Sequence, residues 1–163
     1  MDRMDTTRLI ALLECIKRIY PERFNDIEIT IGYGPTRYSY DYDDETNSIN
    51  NPKIVIGSRV AKDFDEFIID YYNQKFDMDL ENNEKTRLIQ EICHEAGHHF
   101  NIDYYKERDD EYFEQLDWVN EHYEFEVEKR RMAYREIDEE ADADKFAAYL
   151  MKYHLNDFLA CFE

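Results

Sequence analysis

The chain has 163 residues, of which 43% are hydrophobic, and its 39 Asp and Glu outnumber 20 Lys and Arg to give a net charge of −19. A chain of this length and apolar content is expected to fold as one compact domain spanning residues 1–163. The strongly negative field repels phosphate backbones, which disfavours direct binding of nucleic acid and attracts cations and basic protein surfaces.

The cysteines and the apolar stretches indicate the compartment. Cys15, Cys93 and Cys161 are an odd number without paired spacing, which is typical of free thiols in a reducing compartment. No apolar stretch is long enough to cross a membrane, and the N-terminal residues lack the long apolar run of a signal peptide. We therefore expect a cytoplasmic protein without membrane association.

The first part of the chain is predicted to form one helix and a small sheet. A helical repeat of apolar residues over 5–20, followed by Pro21, predicts the first helix. Alternating apolar residues over 27–33 and 37–42 predict two strands, and the Gly and Pro residues between them indicate a hairpin. The apolar run within 53–57 predicts a third, more buried strand. We expect a three-stranded antiparallel sheet.

The rest of the chain is predicted to be helical, because no proline or strand pattern follows residue 58 and Gly97 is the only glycine there. An apolar stripe with acidic residues elsewhere is typical of a helix packed along one side, and it occurs over 109–131. The predicted fold class is therefore α+β, with the small sheet packed against a mainly helical part. The candidate helices cover 64–76, 85–100, 109–131 and 137–154.

Residues 94–98, His-Glu-Ala-Gly-His, form an HExxH motif within the predicted helix 85–100. Histidines four residues apart lie about 40° apart around a helix, so His94 and His98 can reach one metal ion. Glu95 projects beside that ion rather than onto it, where it can accept a proton from a zinc-bound water. The motif predicts a catalytic zinc site with Glu95 as general base. The alternative is a polar helix face that carries two histidines by chance.

A catalytic zinc site needs a third protein ligand, which we expect from the helix predicted over 137–154. Glu140 lies at the edge of its apolar face, where a buried carboxylate requires a partner such as zinc. Glu139 is a serious rival in helical geometry, and the acidic residues 138–140 can simply favour the helix N-terminus. Asp144, one turn beyond Glu140, can accept a hydrogen bond from the free ring nitrogen of a ligating histidine.

The two motifs together, HExxH at 94–98 and Glu-x-x-Ala-Asp-x-Phe-Ala-Ala from Glu140, resemble the gluzincin metallopeptidases and, among them, the ImmA/IrrE family. The resemblance implies a zincin-like fold with His94, His98 and Glu140 as the zinc ligands. Members of that family are cytoplasmic bacterial or phage proteins, and some act on helix-turn-helix repressors. The chain departs from the family pattern at Lys152, where a proline often stands.

The predicted function is that of a zinc-dependent endopeptidase acting on a restricted cytoplasmic protein, with zinc-bound water activated by Glu95. A basic or DNA-binding regulator suits the acidic surface as a partner. An extended peptide is expected to pair with an exposed sheet edge, for which residues 53–57 are nearest in sequence to the HExxH motif. An oxyanion donor is expected from a Tyr or His, and the sequence leaves six candidates open: Tyr104, Tyr105, His122, Tyr123, Tyr134 and His154.

Two other functions remain open from the sequence. The first alternative is an acidic protein-binding or nucleic-acid-mimic module, in which zinc is structural or non-catalytic. The second is a gluzincin that binds its targets without turnover, because intact motif residues do not by themselves prove catalysis. Replacement of Glu95 by Gln distinguishes an enzyme from the binding module, since it removes the general base and leaves the predicted zinc ligands in place.

Overall fold

The structure, a computed structural model, describes residues 6–57 and 62–163, and among these all side chains except those of 62–66. This part of the chain forms seven helices and three strands, which confirms the predicted α+β class. Asp5, at the predicted beginning of the first helix, lies outside the described residues. In chain order the elements are α1 (Thr6–Ile19), α2 (Pro21–Phe24), β1 (Glu28–Gly32), β2 (Arg37–Asp43), β3 (Ser48–Gly57), α3 (Lys62–Phe76), α4 (Glu84–Tyr105), α5 (Asp109–His122), α6 (Val127–Arg135) and α7 (Asp138–Ala160).

The sheet is mixed, not antiparallel as predicted. Its central strand is β3, which pairs in parallel with β1 and antiparallel with β2. The prediction of a hairpin between the first two strands is therefore wrong, because β2 forms its antiparallel pair with β3. The apolar run Ile54, Val55 and Ile56 is at most 4% exposed. A strand buried on both faces reads as a continuous apolar run, and such a strand belongs in the middle of a sheet.

The loop between β1 and β2 crosses the end of β3, so the two strands that it joins lie on opposite sides of β3. Gly34 has a φ of +85°, a conformation that glycine adopts without steric cost. Gly57 ends β3 so close to this loop that a Cβ would overlap with the carbonyl oxygen of Gly34 and with Pro35. The Gly57 N–H also donates a hydrogen bond to Thr36 Oγ1 at 3.0 Å. The Gly and Pro residues that indicated a hairpin therefore belong to a loop that passes over the end of β3.

The core lies between the sheet and helices α1, α3, α4 and α7. Leu9, Leu12 and Ile16 of α1 are all 0% exposed, and their spacing places them on one face of the helix. Ile89 and Ile92 of α4 are equally buried. Complete burial of one such side chain contributes about 1.5–3 kcal/mol. This apolar packing holds α4 and α7 in place around the site described below.

The described helices differ from the predicted ones in extent and number. Both α4 and α7 run longer than the predicted 85–100 and 137–154. The prediction of a single helix over 109–131 is wrong, because a turn at 123–126 separates α5 from α6. That turn contains no Gly or Pro, so no local signal marks it. None of the described helices is long and apolar enough to span a membrane.

Candidate metal centre

Helices α4 and α7 approach each other closely at Gly97. A Cβ at this position would come within 2.7 Å of the Ala143 carbonyl oxygen and 2.8 Å of the Ala143 Cα. Glycine therefore allows a contact between the two helix backbones that a larger residue would prevent. The contact brings the histidine face of α4 against the first two turns of α7, which carry Glu140 and Asp144.

Three side chains at this contact direct their ligand atoms toward one another. His94 Nε2 lies 3.1 Å from Glu140 Oε2 and 3.1 Å from His98 Nε2. The third distance, between His98 Nε2 and Glu140 Oε2, is 3.7 Å. In a tetrahedral zinc site with bonds of about 2.0–2.2 Å, the ligand atoms lie roughly 3.3–3.6 Å apart. His94, His98 and Glu140 are thus close enough together to hold one metal ion, and we call them the metal triad.

Glu139, the rival for the third position, lies behind His98. Glu139 Oε1 is 3.5 Å from His98 Nδ1, the ring nitrogen that points away from the triad. The Glu139 side chain is 21% exposed, whereas that of Glu140 is 6% exposed. The structure therefore places Glu140, and not Glu139, next to the Nε2 atoms of the two histidines. Glu139 contacts the opposite edge of the His98 ring.

Asp144 contacts the other ring nitrogen of His94. Asp144 Oδ1 lies 2.8 Å from His94 Nδ1 and 3.1 Å from Arg135 Nη2, and it accepts a hydrogen bond from the Tyr72 hydroxyl at 2.5 Å. Asp144 is only 1% exposed, so these partners fix its position. A proton on His94 Nδ1 that is donated to Asp144 leaves Nε2 free to bind a metal ion.

Two tyrosines hold the second oxygen of Glu140. The Tyr134 hydroxyl donates a hydrogen bond to Glu140 Oε1 at 2.8 Å, and the Tyr112 hydroxyl donates one at 3.2 Å. Glu140 Oε2 is consequently left to face the histidines. Of the six residues considered as oxyanion donors, Tyr134 is the one that lines the cleft. Sequence reasoning missed the contact with Glu140, because no local pattern links α5 or α6 to a residue of α7.

Glu95 lies beside the metal triad and is tied to the sheet. Its Oε2 accepts a hydrogen bond from the Tyr38 N–H of β2 at 2.6 Å. Burial raises the pKa of the Glu95 carboxyl, while His94 and His98 act in the opposite direction. A carboxylate with a raised pKa is a better proton acceptor near neutral pH. Glu95 thus places a carboxylate that can accept a proton in the same cleft as the metal triad.

The electrostatics of the site favour a bound cation. Burial alone would lower the pKa of His98, but hydrogen bonds to Glu139 and Glu140 outweigh it and raise the pKa to about 10. Burial would also lower the pKa of His94, but hydrogen bonds to Asp144 and Glu140 outweigh this effect and raise it. Burial would raise the pKa of Glu140, yet the two histidines hold it well below its usual range. A divalent metal ion can replace the histidine protons as the counter-charge of these carboxylates.

A cleft of about 680 Å³ lies over the metal triad. Residues Arg37, Tyr38 and Tyr40 of β2 line one side of it, and Tyr112 and Tyr134 line another. Residues 53–57, the predicted edge for a peptide, belong to β3, which is paired on both sides. That prediction is wrong, because the strand at the cleft is the edge strand β2.

Comparison of the chain with models of protein families, with curated proteins and with solved structures finds no match. The assignment of a candidate metal centre therefore depends on the motif residues and on the geometry of the metal triad. Two imidazoles and one carboxylate suit zinc, and imidazole also binds other divalent transition metals.

Proposed function

We propose that the chain is a zinc-dependent endopeptidase, similar to the ImmA/IrrE gluzincins, that cleaves a restricted protein substrate in the cytoplasm. The observation that carries the proposal is the metal triad, with the Glu95 carboxylate next to it in one cleft. Two histidines and one glutamate are the protein ligands of zinc in several metallopeptidases, and this set leaves a coordination position for water. Glu95 follows the first ligand directly in sequence, as a general base does in the HExxH motif.

The residues of the cleft have separate roles in the proposed reaction. His94, His98 and Glu140 would hold the zinc ion, which when bound supplies a Lewis acid that acidifies water and polarises a peptide carbonyl. Glu95 Oε2 is held by the Tyr38 N–H, so the other carboxylate oxygen is left to take a proton from the attacking water. Glu95 then returns this proton to the leaving amine, which completes hydrolysis of the peptide bond.

The position of β2 supports an extended peptide as the substrate. One edge of β2 pairs with β3, and residues of the strand line the cleft beside Glu95. A peptide in extended conformation can add to the outer edge of such a strand through main-chain hydrogen bonds. The net charge of −19 favours a substrate with basic residues, such as a DNA-binding regulator.

A second candidate function is capture of a basic protein without cleavage. A groove of about 1180 Å³ lies between α3, α5 and α6, and Trp118, Val119 and Met132 are among the residues that line it. Apolar side chains within an acidic surface can bind a partner that has both apolar and basic residues. A metal ion at the triad would then stabilise the fold only.

Replacement of Glu95 by Gln tests the enzymatic proposal. Glu84→Gln is the matched control, because it makes the same change at an exposed position in the first turn of the same helix. Each zinc-loaded protein is incubated with a peptide library made from a digested cell lysate, and new termini are identified by mass spectrometry. We expect the native protein and Glu84→Gln to cleave the same peptides, and Glu95→Gln to be slower by about 10²–10⁴-fold with unchanged zinc content.

Two results of this experiment contradict the enzymatic proposal. The first is equal cleavage by the native protein and Glu95→Gln, because the general base would then be dispensable. The second is a native protein that carries zinc but cleaves no peptide, and this result shifts the assignment to capture of a basic protein.

A further inference from the structure

A pair of thiols lies outside the cleft, where α1 meets the residues that follow α7. Cys15 Sγ and Cys161 Sγ are 3.5 Å apart, although 146 positions separate the two residues in sequence. Cys15 belongs to α1, and Cys161 directly follows the last residue of α7. All three cysteines are free thiols in the structure, so this contact joins two thiols that are not yet bonded.

The two thiols differ in a way that gives each a separate role. Arg18 Nη2 donates a hydrogen bond to Cys15 Sγ at 2.9 Å, which fixes this sulfur next to a positive charge. Burial and the neighbouring Cys15 raise the pKa of the Cys161 thiol to about 11, so that thiol keeps its proton. Cys161 is also the more exposed of the two, and an oxidant can reach the pair from its side.

The distance between the sulfurs permits a disulfide after a small movement. A disulfide bond is about 2.05 Å long, so the two Sγ atoms would have to approach by roughly 1.5 Å. Cys93 provides an internal comparison, because it is 0% exposed in the core and burial raises the pKa of its thiol. A thiol with no exposed surface and a raised pKa is inert toward oxidants, whereas Cys15 is 9% exposed.

We propose that Cys15 and Cys161 form a peroxide-reactive pair that closes to an intramolecular disulfide. The Cys15 thiolate attacks one oxygen of hydrogen peroxide, the O–O bond breaks, and the products are Cys15 sulfenic acid and hydroxide. The Cys161 sulfur then attacks the sulfenic sulfur, the S–S bond forms, and the S–O oxygen leaves with the thiol proton as water. The hydroxide takes up the proton that Cys15 lost. Two thiols and one peroxide thus give one disulfide and two waters.

The bond would join α1 to the end of the helix that carries Glu140 and Asp144. Closure of so long a loop restricts the unfolded chain strongly, so oxidation should raise the Tm of the protein by roughly 10 °C. The pair would accordingly stabilise the packing of α1 on α7 under oxidising conditions. This consequence does not depend on the proposed peptidase activity.

Peptide mapping of the full chain after treatment with hydrogen peroxide tests the proposal. The protein is oxidised, unfolded, alkylated with iodoacetamide and digested with trypsin, which places the three cysteines in separate peptides, 9–17, 88–106 and 153–163. We expect a disulfide-linked pair of peptides 9–17 and 153–163, while Cys93 in peptide 88–106 is alkylated. Dithiothreitol should restore alkylation of all three cysteines and reverse the rise in Tm.

Single substitutions supply the controls. Cys15→Ser and Cys161→Ser should each abolish the linked peptides and the rise in Tm, whereas Cys93→Ala should retain both. Alkylation of all three cysteines in the oxidised native protein would overturn the proposal. Linkage only between two copies of the same peptide would also overturn it, because the bond would then join two molecules. The mapping of the native protein decides these points even if a variant does not fold.

Discussion

Two pairs of helices border the same cleft, and they differ in the kind of side chain that they bury. In the pair α4–α7, the polar residues His94, Glu140 and Asp144 are at most 5% exposed, and each has hydrogen-bonding partners. In the pair α5–α6, Val119 is the one buried residue among those described, while Phe113 and Trp118 remain 57% and 56% exposed. Polar groups are thus buried where they form the candidate metal centre, and apolar groups are exposed where α5 and α6 line the cleft.

The contrast shows which contacts the metal centre needs. Burial of polar groups is costly unless they are paired, so the α4–α7 contact has little tolerance for change. The α5–α6 pair reaches the centre through the hydroxyls of Tyr112 and Tyr134, and also through the guanidinium of Arg135, which lies 3.1 Å from Asp144. We therefore expect large effects from substitutions between α4 and α7, intermediate effects at the tyrosines, and small effects on the exposed face of α5.

Among the substitutions in the two helix pairs, the largest effect is expected from Gly97→Val. The added side chain would overlap with the backbone of Ala143, so α4 and α7 would have to separate. We expect the free energy of unfolding to fall by about 3 kcal/mol or more, as measured by urea denaturation. Ala160→Val, at the exposed end of α7, is the control and should cost less than about 1 kcal/mol. Equal losses in the two variants would show that the close helix contact is unimportant.

Asp144→Asn should weaken metal binding by about 10–100-fold, because the amide no longer supplies the charge that orients and polarises His94. Competition with a chromophoric chelator measures this affinity. Asp142→Asn is the control, since Asp142 lies on the same helix but contacts Tyr105 and Lys145 instead of the triad. An unchanged affinity in Asp144→Asn would remove Asp144 from the metal centre.

Tyr134→Phe should have a smaller effect, because Tyr112 continues to donate to the same oxygen of Glu140. We expect metal affinity to fall by up to about 10-fold and stability by about 1 kcal/mol. Tyr104→Phe, at a side chain that is 58% exposed, is the control. A loss of kcat with unchanged metal affinity would contradict the assigned contact and would make Tyr134 an oxyanion donor instead.

The smallest effect is expected from Trp118→Ala on α5. The side chain is largely exposed, so stability should fall by less than about 1 kcal/mol and metal affinity should not change. Phe24→Ala, at a residue that is 0% exposed, should cost about 3–5 kcal/mol in the same denaturation experiment. Loss of metal from Trp118→Ala would show that the exposed face of α5 also contributes to metal binding, and this result would contradict the difference between the two helix pairs.

The features that the sequence predicts correctly are local ones. The HExxH spacing and the helical repeats are readable within one or two turns, so the sequence predicts helices over 85–100 and 137–154 and the candidate ligands on them. The choice between Glu139 and Glu140 was not local, because it depends on how α7 is rotated against α4. The contact between Gly97 and Ala143 fixes that rotation in the structure.

The errors concern pairings between distant parts of the chain. Gly34 and Pro35 fit a hairpin as well as a loop that crosses β3, and the parallel pairing of Glu28 with Lys53 leaves no mark in either segment. Tyr112 and Tyr134 would lie about 33 Å apart along one straight helix. Their hydroxyls are 3.5 Å apart in the structure, so the chain must turn between α5 and α6 even without Gly or Pro.

Zinc content per chain, measured by elemental analysis, tests the metal centre most directly in the native protein, in Glu140→Ala and in Glu139→Ala. Because Glu140 belongs to the metal triad and Glu139 only contacts the far edge of His98, we predict about one zinc in the native protein and in Glu139→Ala. Glu140→Ala should have lost it. Zinc retained by Glu140→Ala, or a native protein that takes up no zinc, would contradict the account.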